Sequence, residues 1–198
     1  MDFIFFLLII LAFHNSGQIL TSKLKFSGPG ESFLFSTALG SILISAIMTA
    51  LVFSGGISSA ICWVILGVSL LVGWKNFLHL KQALNIFSSP QSMEEDGLKN
   101  MAQSFLGLLV LLSIGLALAP AFATNALVYH LAVPKAFLQA GGLVNLPNNI
   151  YSFFPQQMEM LYLFALALGS DSLAQLTGLG VAFLLLFALW QYSKQKVG

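Results

Sequence analysis

The chain has 198 residues, of which 58% are hydrophobic and only 8% are charged, and its mean hydropathy is +0.89. Soluble domains carry about 25% charged residues, so this composition excludes an ordinary soluble domain and predicts an integral membrane protein. The formal net charge is +1, and all eight basic residues are lysines. Because a nucleic-acid partner requires a basic stripe that is usually rich in arginine, the composition also argues against such a partner.

The sequence contains no recognisable disulfide or metal site. Cys62 is the single cysteine, so an intrachain disulfide is excluded, and its apolar surroundings indicate a small packing residue. The three histidines, His14, His79 and His130, are far apart in sequence, and no C-x-x-C pair occurs. Zinc sites need clustered ligands at short spacings. We therefore expect neither a metal nor another cofactor.

Six apolar runs predict six transmembrane helices, since about 20 residues are needed to cross about 30 Å of hydrocarbon. The runs are 3–22, 32–53, 57–74, 102–123, 154–169 and 172–190. Asp2 stands where a signal peptide would carry positive charge, so we expect the first run to be a retained helix. Gly55–Gly56 predicts a tight hairpin between the second and third runs, and Gly169–Asp171 predicts a helix end followed by an N-cap. The predicted fold class is an all-α polytopic transmembrane bundle.

The segment between the third and fourth runs is predicted to leave the membrane. Residues 75–87 suit a short helix lying on the membrane surface, and 88–100 suit a solvated loop. The acidic run 94–96 argues for that loop, because consecutive acids on a regular element cannot all face one ion. Placing 23–31 and 75–100 in the cytoplasm puts five of the eight lysines there, which follows the positive-inside rule. The later polar segment is then extracytoplasmic.

That polar segment runs from Thr124 to Tyr162 and collects most of the chemically versatile side chains of the second half. Apolar residues recur at helical spacing over 125–140, which predicts an amphipathic helix lying at the membrane interface. Thr124 or Asn125 is the expected cap, Pro134 the expected kink, and Gly141–Gly142 the expected end. The whole extracytoplasmic loop is predicted to span 121–155.

Two runs in this loop resemble a known family. N-A-L-V-Y-H-L-A-V-P-K-A-F-L-Q-A-G-G at 125–142 and N-N-I-Y-S-F-F-P-Q-Q-M-E-M-L-Y at 148–162 resemble the first large extracytoplasmic loop of bacterial GT-C glycosyltransferases. These are multi-pass enzymes similar to protein O-mannosyltransferases and to the aminoarabinose transferases of lipid A, and they take a sugar from a polyprenyl-phosphate carrier. The resemblance covers about 103–190. It divides the chain into N-terminal helices with a cytoplasmic loop at 1–101 and a GT-C-like segment at 102–198.

The resemblance implies catalytic positions, and the chain departs from the family at some of them. Asn125 stands at the family's aspartate, the general base that activates the acceptor hydroxyl, and an amide lacks the basicity for that role. Gln175 stands where the family often has an arginine that pairs with carrier phosphate, and the chain has fewer helices than such enzymes. Glu159 is the second catalytic candidate. A carboxylate in the first turn of a helix is stabilised by the helix dipole, and ionisable groups entering a bilayer are functional hypotheses.

Four further residues are candidate substrate ligands. Tyr129 and His130 suit contacts with sugar or phosphate, Lys135 suits carrier phosphate as a point charge, and Tyr151 suits stacking on a sugar or a lipid chain. Each residue also has a structural alternative. Tyrosines anchor helices at the interface, a histidine can lie on a wet rim, and a lysine can snorkel. Asn125 can be an N-cap, and Glu159 a cap-like group.

Two functions therefore follow from the sequence. The first is a membrane glycosyltransferase of the bacterial inner membrane, present as an N-terminal or shortened portion. Two alternatives stay open for it, namely activity of the chain alone and activity only with a partner subunit that supplies the missing helices. Its expected partners are membrane lipids and a polyprenyl-phosphate-linked sugar. The alternative is a small non-catalytic multi-pass protein that binds a lipid carrier or a partner protein. A transporter is less favoured because the second, third, fourth and sixth runs contain no charge.

Overall fold

The structure is a computed structural model that describes residues 1–73, 97–121, 126–153 and 156–197. Every regular element in those ranges is helical, so the all-α prediction is confirmed for this part of the chain. The elements are α1 (Asp2–Thr21), α2 (Pro29–Ser54), α3 (Ser59–Val72), α4 (Gly97–Leu118), a π-helical turn (Ala126–His130), α5 (Ala132–Ala140), a 3-10 turn (Ile150–Phe153), α6 (Gln157–Leu168) and α7 (Asp171–Val197).

Four of these helices, α1, α2, α4 and α7, are long and apolar enough to cross a membrane, which supports membrane integration. By contrast, α3 has 14 residues and α6 has 12. At 1.5 Å per residue they measure about 21 and about 18 Å, less than the roughly 30 Å of a hydrocarbon core. The predicted spans 57–74 and 154–169 are therefore shorter apolar helices in the described part of the chain, and the count of six spans is not reproduced there.

The helices α1 and α2 pack against each other at very close range. A Cβ atom added at Gly17 would overlap the carbonyl oxygen of Ser36, and one added at Gly40 would overlap the carbonyl oxygen of Phe13. Without a hydrophobic force between helices in lipid, small residues that allow backbone contact drive such packing. Gly17 and Gly40 therefore set the crossing of the first two helices.

One end of the bundle gathers the beginnings of α1 and α7 and the end of α4. Ser170 Oγ donates to Asp2 Oδ2 at 2.6 Å, and Ser172 Oγ donates to the Leu118 carbonyl at 3.2 Å. We call this the Asp2 end. At the opposite end, the beginning of α2 meets the end of α7, because a Cβ at Gly30 would overlap the Gln191 side chain.

The helix α5 crosses the Asp2 end. Lys135 near its middle pairs with Asp171 at the beginning of α7. Just beyond its last residue, the Gly141 carbonyl accepts from the Ile57 N–H at 3.1 Å, and the Leu143 N–H donates to the Val52 carbonyl at 2.9 Å. The helix α5 therefore spans the distance from the beginning of α7 to the link between α2 and α3, and these contacts fix both positions.

The short helix α6 begins inside the bundle and ends at the Asp2 end. Ser45 Oγ donates to the Gln157 carbonyl at 3.0 Å, and Ser45 lies nine residues, about 14 Å of helix, before the end of α2. The predicted stop and cap after α6 are confirmed. The Gly169 N–H closes the helix on the Ala165 carbonyl, and Ser170 Oγ accepts from the Leu173 N–H at 3.2 Å.

Some predictions fall outside the described residues. These are the surface helix at 75–87, the part of the acidic loop at 88–96, and the caps and catalytic position at Thr124 and Asn125.

Candidate functional site

The chain before α5 is broken where Pro134 requires it. A proline ring clashes with the carbonyl four residues earlier, which here belongs to His130, and the backbone forms a π-helical turn ending at His130 before α5 begins at Ala132. The helix ends at Gly141, which has φ 73°, a left-handed conformation that glycine adopts at low cost. The predicted kink near Pro134 and end at Gly141–Gly142 are confirmed. Single π-turns are frequent at functional sites.

Glu159 is the central residue of the site. It lies in the first turn of α6 and is 2% exposed. Burying a carboxylate is costly unless it is paired and hydrogen-bonded. His130 Nδ1 lies 2.8 Å from Glu159 Oε1, and the Tyr129 phenol also hydrogen-bonds the carboxylate. The π-turn thus presents two successive side chains as donors to one buried acid.

The pair is asymmetric with respect to solvent. The side chain of His130 is 42% exposed, whereas that of Glu159 is 3% exposed. The imidazole therefore reaches from the buried carboxylate toward the surface. One side chain that can both donate and accept a hydrogen bond therefore lies between the Glu159 carboxylate and the protein surface.

Aromatic rings surround the two donors. Tyr129 stacks on Tyr151 with ring centroids 5.4 Å apart, and the rings of His130 and Tyr162 are nearly perpendicular with centroids 6.0 Å apart. Burial raises the pKa of the Tyr129 phenol above its ordinary value of 10.0, and the negative charge and hydrogen bond of Glu159 raise it further. Tyr129 is therefore held as a neutral donor next to the carboxylate.

Asn149 ties the loop that carries Tyr151 to the π-turn. Its Nδ2 donates to the Val128 carbonyl at 2.7 Å, and its Oδ1 accepts from the Tyr151 N–H at 3.1 Å. Tyr151 is held over Tyr129 by these two bonds. Asn149 was not singled out from the sequence, although an asparagine whose side chain bonds the backbone two residues on is a known turn signal.

Lys135 is paired rather than extended into solvent. Its Nζ lies 2.7 Å from Asp171 Oδ2, and the side chains are 43% and 38% exposed. The sequence identified Asp171 only as part of a helix start, so its contact with Lys135 was missed. Gln175, at the family's arginine position, donates from Nε2 to the Ala119 carbonyl at 3.1 Å and so joins α7 to the end of α4.

An open cleft of about 300 Å³ lies beside this network, between α5 and the turn that follows it. Ala132, Ala136, Leu146, Pro147, Asn148 and Asn149 line the cleft. Asn149 belongs both to the cleft and to the contacts that hold Tyr151. The cleft is therefore adjacent to the aromatic part of the site.

A second, larger cavity shares no residue with the site. It is an apolar groove of about 500 Å³ between α1, α2, α4 and α7, and its rings include Phe6, Phe33 and Phe187. The polar chemistry of the second half of the chain thus concentrates at Glu159 and its neighbours and not in the larger cavity.

The structure brings together four of the six residues predicted from the sequence. Tyr129, His130, Glu159 and Tyr151 form one contact network, whereas Lys135 pairs with Asp171 at the Asp2 end. Asn125 lies outside the described residues. In the described part of the chain, no group of three or more His, Cys, Asp or Glu side chains could hold a metal ion. The site therefore offers a buried proton acceptor with two donors and an aromatic surface. Comparison of the chain with family models, curated proteins and solved structures found no match, so its interpretation depends on this geometry.

Proposed function

We propose that this chain is a membrane glycosyltransferase-like protein that transfers a sugar from a polyprenyl-phosphate carrier, with Glu159 as the proton acceptor. The observation that carries the proposal is the buried carboxylate of Glu159 held by His130 and Tyr129. A carboxylate can accept the proton of an attacking hydroxyl only if it is kept available and oriented. Because the family's aspartate position is Asn125 in this chain, Glu159 is the acid that can take that role.

The proposed step balances without a cofactor. The oxygen of the acceptor hydroxyl attacks the anomeric carbon of the sugar and forms the new glycosidic bond. The bond between that carbon and the carrier phosphate oxygen breaks, and its electron pair leaves with the polyprenyl phosphate. The hydroxyl proton passes to the Glu159 carboxylate, which becomes a neutral carboxylic acid.

The remaining residues suit the two parts of the donor. The Tyr129 and Tyr151 rings offer an aromatic face for a sugar, and Lys135 offers a positive charge for phosphate. The proposal also includes the orientation of the chain in the membrane, the membrane itself and a partner. The Asp2 end is extracytoplasmic, α5 lies at the membrane interface, the membrane is the bacterial inner membrane, and a partner subunit supplies further helices.

The test is sugar transfer in membranes containing the full chain. Polyprenyl-phosphate-linked mannose and aminoarabinose serve as donors, with release of polyprenyl phosphate as the readout. General acid–base catalysis contributes about 10²–10⁴-fold, so Glu159→Gln is expected to remove activity to that extent while the protein stays folded. Glu31→Gln is the matched control, because Glu31 accepts from the Ser27 N–H at the opposite end. Unchanged transfer by Glu159→Gln would refute Glu159 as the proton acceptor. Asn125→Asp is expected to raise any residual activity.

The alternative is a non-catalytic membrane protein that binds a lipid carrier or a partner. One observation favours it: His130 and Lys135 are each paired with an acid of the same chain, His130 with Glu159 and Lys135 with Asp171, as in a structural network. Saturable binding of polyprenyl phosphate without transfer of either sugar would support this alternative.

A further inference from the structure

Lys135 and Asp171 form an ion pair at the Asp2 end, and Lys135 is the residue to which the proposed function assigns the carrier phosphate. Their Nζ and Oδ2 atoms are 2.7 Å apart, and Lys135 is the single lysine between residues 126 and 193. Among the lysines whose side chains the structure describes, Lys135 is the one that the proposed function assigns to a phosphate. At present that positive charge already has an anionic partner.

The pair is open to exchange. The side chains are 43% and 38% exposed, and an ion pair in contact with water is worth little, about 0.2–1 kcal/mol in measured cases. An incoming phosphate carries more negative charge than a carboxylate and has several acceptor oxygens. It can therefore displace Asp171 from Lys135 without a large loss.

We propose that Asp171 is an internal competitor for the phosphate of the substrate: its carboxylate occupies Lys135 in the free protein and lowers the affinity of the site for phosphate. This inference rests on the proposed function, because it takes the ligand to be a phosphate monoester or diester held by Lys135. It assigns to Asp171 an affinity-setting role in addition to its place at the beginning of α7.

The competition also has a structural consequence. Lys135 lies on α5 and Asp171 on α7, so the pair joins the helix that crosses the Asp2 end to the bundle beneath it. When phosphate takes Lys135, that connection is released, while the backbone bonds at Ile57 and Leu143 still hold the other end of α5.

The experiment measures phosphate binding to the full chain in nanodiscs. Polyprenyl phosphate, inorganic phosphate and, as a control lipid, phosphatidate are titrated against wild type, Asp171→Asn, Lys135→Ala and the double variant. Thermal unfolding of each variant shows that it is folded, and Glu31→Gln at the opposite end is the charge-matched control. The asparagine keeps the size of the side chain and removes its charge.

The expected result is polyprenyl phosphate binding about 1.4- to fivefold tighter in Asp171→Asn, which is the affinity equivalent of an exposed ion pair. The gain should vanish when Lys135 is alanine, because the two residues then no longer share an interaction. An equal gain in both backgrounds would indicate a general charge effect and would overturn the proposal. Unchanged or weaker binding by Asp171→Asn would overturn it as well and would leave the pair as a clamp between α5 and α7.

The outcomes separate this inference from the proposed function. Wild-type binding that Lys135→Ala weakens and Asp171→Asn leaves unchanged would refute the competitor role and retain the carrier site. Conversely, the expected pattern with inorganic phosphate or phosphatidate, but without preference for polyprenyl phosphate, would support Asp171 as a competitor and contradict the polyprenyl carrier. Absence of binding by every variant to every probe would refute both.

Discussion

Replacement of His130 by alanine tests whether the buried Glu159 carboxylate depends on its imidazole partner. The bond from Nδ1 to Oε1 is 2.8 Å long and its acceptor is 2% exposed. Hydrogen bonds to charged groups are worth about 1.5–3 kcal/mol, and breaking a fully buried ion pair costs about 3–5 kcal/mol. Because the His130 side chain is 42% exposed, the pair is not fully buried, so the lower range applies. We expect His130→Ala to lower the free energy of unfolding by about 1.5–3 kcal/mol.

The assay is equilibrium unfolding in mixed micelles, repeated in a Glu159→Gln background. The amide keeps the shape of the side chain but removes the charge, so the cost of His130→Ala should fall below about 1 kcal/mol there, the worth of a neutral hydrogen bond. The difference between the two backgrounds isolates the pair. An equal cost in both backgrounds would refute the argument that His130 stabilises a buried charge.

Two further predictions concern the phenol of the site and the packing of the first helices. The alkaline absorbance of wild type minus that of Tyr129→Phe should show one phenol that ionises above pH 10.0. Glu159→Gln should lower the pKa of this phenol toward 10.0 but not as far as that value, because the phenol remains buried. The folded state holds the phenol proton to a higher pH than the unfolded state does. The contribution of Tyr129 to stability is therefore complete below pH 10 and is lost as the pH rises through the raised pKa. A phenol that titrates with its ordinary pKa of 10.0 would contradict the site geometry. Gly40→Leu should overlap the Phe13 carbonyl and destabilise the bundle by about 1–3 kcal/mol or more. In contrast, Gly107→Leu, which meets no atom within 4 Å, should change stability by less than about 0.5 kcal/mol, and equal effects would refute the close crossing.

Much of the local structure could be predicted because it depends on properties of neighbouring residues. Pro134 lacks an N–H and clashes with the preceding turn, so a break near it follows from covalent chemistry alone. Gly141 ends α5 because it adopts φ 73°, and Ser170 caps α7 because its hydroxyl reaches the Leu173 N–H. The candidate residues Tyr129, His130, Tyr151 and Glu159 were also found, since polar side chains are rare in this sequence.

The lengths and partners could not be predicted in the same way. An apolar run is equally consistent with burial in lipid and with burial in protein. The run 154–169 therefore does not indicate that α6 has 12 residues or that its first residue, Gln157, lies beside Ser45 inside the bundle. The direction of α6 is set by its position between Ser45 at its beginning and Ser170 after its end, and these contacts arise from helix packing and not from local sequence. Asn149 escaped notice because a loop asparagine is common and only its two bonds to the π-turn and Tyr151 distinguish it.

Composition and hydropathy alone indicate a helical membrane protein with a polar segment in its second half, and glycine and proline indicate where several of its helices end. Hydropathy, glycine and proline act over a few residues, and their effects can be read along the chain. Only the tertiary structure decided that His130 meets Glu159 across 29 positions and that Lys135 meets Asp171 across 36. These pairs depend on how α5, α6 and α7 pack against one another, and no period or spacing in the sequence encodes which charged side chains that packing brings within hydrogen-bonding distance.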